Sequence, residues 1–101
     1  MIRFSVVLTV LLLSSACSPL PAVRDGVGYT WVKSRPAVAE ERWRYHVVSK
    51  EELKKACYPK SESLACAWTT ENYYYCDIYL PLGHSKYIRW HEERHCRGWT
   101  H

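Results

Sequence analysis

His91-Glu92-Glu93-Arg94-His95-Cys96-Arg97-Gly98-Trp99-Thr100-His101 is the stretch that fixes how this end of the chain must fold. Residues four apart on a helix share a face, so His91 and His95 can present both imidazoles to one metal ion. Glu92 then lies beside that ion, where it can take a proton from water as general base. Gly98 can adopt the left-handed conformation that ends a helix and turns the chain back, so that His101 approaches from a third direction. Three protein nitrogens with one open position is the donor set of a catalytic zinc site rather than a closed structural one. Neutral imidazoles make zinc the first choice, although copper, nickel and cobalt accept the same ligands.

The pattern H-E-x-x-H-x-x-G-x-x-H resembles the zinc-binding signature of the metzincin clan of metallopeptidases. The resemblance is confined to these eleven residues but fixes five of them at set offsets. It implies hydrolysis of peptide or amide bonds, with His91, His95 and His101 holding zinc and Glu92 as the catalytic base. In such enzymes an edge strand upstream of the metal helix binds the substrate backbone, and Tyr73–Leu80 is placed to do this, although it reads equally well as a buried central strand. Tyr73, Tyr75 and Tyr79 resemble the tyrosines that assist oxyanion stabilisation in some zinc peptidases, although tyrosine-rich strands also simply pack. His46 and His84 are spare histidines, expected at the surface. Cys96 points about 100° around the helix from His95 and has potential disulfide partners, so it is not read as a ligand. The clan also carries a methionine-containing turn after the third histidine, whereas the one methionine here is Met1. A second expectation follows: a non-enzymatic envelope lipoprotein, its metal site structural or vestigial, acting as an interaction module.

The other end reads as an export signal. Arg3 supplies a positive n-region, Val6 to Leu13 an apolar segment broken only by Thr9, and Ser14-Ser15-Ala16 the small residues before a cleavage site. Leu13-Ser14-Ser15-Ala16-Cys17 resembles a bacterial lipoprotein signal, which implies acylation of Cys17 and a membrane anchor. Ser18, where an aspartate would hold such a protein at the inner membrane, implies the outer membrane of a Gram-negative cell, with the domain facing the periplasm. The expected division is therefore a signal peptide over 1–16, a Pro- and Gly-bearing tether over 17–28, and a small domain over 29–101. Loss of the leader, whose one charge is Arg3, lowers the formal net charge from +4 to +3. Basic residues are scattered among acidic ones, which argues against a nucleic-acid partner and leaves a peptide or envelope protein as the expected substrate.

Between these ends the chain predicts a small α+β domain: a short antiparallel sheet, disulfide staples and a C-terminal metal-binding helix. Tyr29 to Val32 reads as a short strand and Trp43 to Val48 as an alternating one. Ser49-Lys50-Glu51-Glu52 is a capping box opening a helix that Tyr58-Pro59 ends. Leu64 to Thr69 and Tyr73 to Leu80 read as a hairpin, with Asn72 at the turn's positive φ and Tyr74, Cys76, Ile78 and Leu80 facing the core. Ser85 caps the last helix, from Lys86 to about Arg97.

Of five cysteines, setting Cys17 aside leaves Cys57, Cys66, Cys76 and Cys96, enough for two disulfides in an exported domain. Cys76 to Leu80 spans about 13 Å at strand rise. Ser85 to Cys96 runs back about 16 Å at helix rise. Matched heights favour Cys76 with Cys96, and hence Cys57 with Cys66. The alternative pairs Cys66 with Cys76 across the hairpin and Cys57 with Cys96.

Overall fold

A computed structural model describes residues 22–60 and 63–101; the signal peptide and Cys17 lie outside the described residues. The elements in chain order are β1 (Ala22–Arg24), β2 (Thr30–Lys33), a 3₁₀ turn (Glu40–Arg42), β3 (Trp43–Val48), α1 (Lys50–Ala56), β4 (Cys66–Thr69), β5 (Cys76–Pro81), α2 (Lys86–Cys96) and β6 (Trp99–Thr100). The domain is a small α+β fold with two three-stranded sheets, ordered β1-β2-β6 and β3-β5-β4. No helix among the described residues is long and apolar enough to cross a membrane.

Both helices start where their caps predict. Ser49 Oγ accepts from the Glu52 amide and Ser85 Oγ from the Ile88 amide, each satisfying one of the amides that a helix N-terminus leaves without an intrahelical partner. α2 lies against the inner face of β5, where Cys76, Ile78 and Leu80 are fully buried with Val38 and Cys96. A smaller cluster of Leu53, Cys57 and Cys66 seats α1 on the same sheet. Disulfides join Cys76 to Cys96 and Cys57 to Cys66, each with Cα atoms 5.7 Å apart, so the pairing favoured by matched heights is the one present.

Four local expectations are corrected. The sheet β3-β5-β4 is mixed, because β3 pairs parallel to β5 while β4 pairs antiparallel. β5 is therefore its central strand, and β4 is the edge beside the last helix. The loop before β5 is also longer than a three-residue turn. Thr70 Oγ1 accepts the amides of Tyr74 and Tyr75, and the Thr70 amide donates to the Tyr75 carbonyl, which removes residues 73–75 from the ladder. Tyr73, rather than Asn72, takes the positive φ of 57°, and Tyr74 is exposed beneath the Arg42 guanidinium instead of in the core.

The fourth correction concerns residues 22–28, expected as tether. Ala22–Arg24 pair with Thr30–Val32, and Asp25 Oδ1 accepts the amides of Val27, Gly28 and Tyr29 to close the hairpin. Gly26 and Gly28, whose presence resembles a linker, here lie in a turn.

Candidate metal centre

Gly98 shapes the end of α2. Its φ of +95° reverses the chain after Arg97, and a β-carbon there would overlap the Arg35 carbonyl oxygen. The Gly98 carbonyl accepts the amides of Ser34 and Arg35, and β6 then pairs antiparallel with β2. His101, one residue beyond β6, is carried back over the helix face that bears His91 and His95.

The three side chains converge. One ligand atom from each of His91, His95 and His101 lies within 4.8 Å of the others, a grouping that could hold a metal ion. His91 Nε2 and His101 Nε2 are 3.1 Å apart. His95 Nδ1 is 3.0 Å from the Trp99 carbonyl oxygen, an acceptor only, so that nitrogen carries the proton and Nε2 keeps its lone pair for the cluster.

The chemistry of the donors suits a metal. Burial lowers the proton affinity of all three imidazoles. For His95 the pKa falls to about 4 although the Trp99 carbonyl opposes it. His91 and His101 shift the same way, burial again being the main cause, with His101 adding to the effect at His91 and Lys60 at His101. Three neutral, partly desolvated imidazoles are the form a borderline-soft divalent cation takes.

Glu92 is 7% exposed, the one buried charged residue among those described. Its Oε1 stands 4.0 Å from His95 Nε2. Burial raises its pKa to about 7, against the opposing charge of Lys60, so it can both accept and return a proton near neutrality. Glu93 instead faces away and takes the hydroxyl of Tyr45.

Glu92 and the three histidines line a cleft of about 1040 Å³. All four residues of β4 line it too. Because β4 has a strand neighbour on one side only, the edge beside the cluster is β4 rather than the Tyr73–Leu80 segment. The other candidates fall elsewhere: His46 bonds Asp77 and stacks on Tyr79, His84 bonds the Pro81 carbonyl, and Tyr75 lies under Arg44. Cys96 is buried in its disulfide, not a ligand.

Sequence reasoning missed the aromatic support of the cluster. Trp31 on β2 is 0% exposed, with its ring centroid 4.7, 5.1 and 4.8 Å from those of His91, His95 and His101. Its indole N–H donates to Asp25 Oδ2, and the Arg94 guanidinium lies 5.3 Å from its ring. Tyr29 adds an edge contact to His91 and a tilted one to His101, with ring centroids 4.8 and 4.4 Å apart. The available signal was Asp25-Gly26 ahead of Tyr29-Thr30-Trp31-Val32, a turn followed by a strand that points one large aromatic inward.

Comparison of the chain with protein-family models, curated proteins and solved structures returned no match. What the site can do therefore rests on the geometry above.

Proposed function

We propose that the protein is a zinc-dependent, metzincin-like metallopeptidase of the cell envelope that hydrolyses peptide or related amide bonds. One observation carries this reading: a buried carboxylate, Glu92, stands beside three converging neutral imidazoles in a cleft bordered by a strand edge. His91, His95 and His101 would hold the ion, which supplies Lewis-acid polarisation when bound. The free side of β4 offers backbone groups that can align an extended peptide across the cleft. Glu92 accepts the proton of the attacking water and then returns it to the leaving amine. The export pattern of residues 1–16, Cys17 as a site of acylation and the two disulfides support placement in an oxidising envelope compartment.

Glu92→Gln tests the mechanism. The variant should bind zinc with the wild-type stoichiometry and lose peptide hydrolysis by about a hundredfold or more. Turnover surviving in that variant would sink the assignment of the base.

A second reading is a domain whose metal is structural. The cluster favours it in one respect: the ligands come from α2 and from the residue after β6, so an ion would clamp the small sheet to the helix. Hydrolysis by the zinc-loaded wild type excludes this reading. Zinc-dependent folding without turnover supports it.

A further inference from the structure

The cleft has a charge pattern that the histidine cluster does not require. Among the described residues lining it, Glu92 is the only acid and sits buried at the base, while Arg35 and Lys60 are both exposed cations. The described ion pairs use Arg44, His46, His95 and Arg97, and neither Arg35 nor Lys60 takes part in one.

Both cations are carried by anchored backbone. The Arg35 amide donates to the Gly98 carbonyl at 3.1 Å, in the turn that also delivers His101. Lys60 lies in the loop closed by the Cys57–Cys66 disulfide, its amide bonded to the Cys57 carbonyl at 2.8 Å and its carbonyl to the Ser63 amide at 3.0 Å. Lys60 is near enough for its charge to be felt at Glu92, His95 and His101. Among the described lining residues no exposed acid balances these charges, although the Asp25 carboxylate is felt at His91 and His101, and a divalent ion on the histidines would add to the positive side. The described exposed charges that line the cleft are positive, and a concave site focuses their field.

We infer that the cleft selects peptides bearing a carboxylate, which Lys60 and Arg35 hold while the edge of β4 aligns the backbone. This deepens the metallopeptidase reading and rests on it for the peptide nature of the ligand. The carboxylate can belong to an acidic side chain or to a free C-terminus, since both present the same group to the same cations.

The test uses the Glu92→Gln chain, so that ligand is not consumed, with and without zinc. Three hexapeptides of one apolar sequence are titrated, followed by tryptophan fluorescence. The first has an internal glutamate and an amidated C-terminus, the second a free C-terminus only, and the third neither. One or both carboxylate peptides should bind about fivefold tighter than the neutral one, and which of the two does so identifies the source. The preference should shrink about threefold in Lys60→Ala, vanish in Lys60→Ala with Arg35→Ala, and weaken with added salt. Equal binding of the three peptides, no binding of any, or a preference that survives the double substitution overturns the proposal. Zinc titration of the same samples reads the metal site separately, so failure of the metal reading is distinguishable from failure of this one.

Discussion

The indole N–H of Trp31 donates to Asp25 Oδ2 at 2.8 Å, and this bond ties the β1–β2 turn to the aromatic platform touching all three histidines. Asp25 is saturated: Oδ1 takes three turn amides, and Oδ2 also takes the Tyr87 hydroxyl. The Trp31 bond is the main reason its carboxyl titrates well below the usual range. Asp25→Ala frees the hairpin and the Trp31 ring together. It should lower zinc affinity about tenfold, as loss of a supporting partner does at metal sites, measured by competition with a chromogenic chelator. Unchanged affinity would show that the platform does not orient the ligands.

The turn at Gly98 should be intolerant of any side chain. Alanine there would hold a left-handed backbone at a cost of roughly 1–3 kcal/mol. Its β-carbon would also push against the Arg35 carbonyl. Gly98→Ala should therefore lower the urea midpoint and, in whatever fraction remains folded, weaken zinc binding, because His101 is displaced. A variant matching wild type in both would mean that the reversal after α2 is not rigid.

The two disulfides should separate by function. In the chain-entropy view, the Cys76–Cys96 bridge, 20 residues apart, contributes about 3 kcal/mol and the Cys57–Cys66 bridge, 9 apart, slightly less. Only the first fastens the helix that carries His91 and His95 to the sheet. Replacing Cys76 and Cys96 by serine should thus cost both stability and zinc affinity. Replacing Cys57 and Cys66 should cost stability with zinc affinity nearly intact.

What the sequence made legible was set by local signals. Ser49 and Ser85 announce the helix starts, Gly98 the reversal, and the spacing of Cys76 and Cys96 their disulfide. The parallel pairing of Trp43–Val48 with Cys76–Pro81 has no such signal. Register between strands separated by a helix and another strand is decided by which faces bury Ile78 and Leu80, not by any turn residue. Trp31 was illegible for a related reason. A four-residue strand has too few alternations to say what its one large aromatic meets, and its partners lie about sixty residues further on.

Asp77 should make the domain sensitive to acid. Its carboxylate accepts two bonds from the Arg44 guanidinium, each 2.8 Å, and lies 2.9 Å from His46 Nε2. The Arg44 bonds are the main cause of its lowered pKa. A folded value below the unfolded one means that the unfolded chain binds more protons between the two, so stability rises with pH there. The contribution is complete above the ordinary aspartate value near 4 and is lost as pH falls through the folded one. Arg44 is half exposed, so solvent screening limits the effect to about 1 kcal/mol or less. Asp77→Asn should flatten this part of the acid-denaturation curve followed by circular dichroism. An unchanged curve would show that the pair contributes nothing to folding.

Zinc should stabilise the folded domain through the three histidines and not through Glu92. Linkage gives about 2.7 kcal/mol when free metal is a hundred times Kd, provided the unfolded chain binds little. For a domain of this size each kcal/mol is worth roughly 4–8 °C in Tm, so the shift should exceed about 10 °C. His91→Ala and His101→Ala should each remove most of it. His95→Ala should do so while also lowering the metal-free Tm, since it abandons the bond to the Trp99 carbonyl. Glu92→Gln should keep the full shift, and its metal-free Tm should match or exceed wild type near neutral pH, because burial disfavours the charged carboxylate that the substitution removes. Differential scanning fluorimetry with and without a chelator checks all four variants. A zinc shift that persists in His91→Ala and His95→Ala would place the ion elsewhere on the chain.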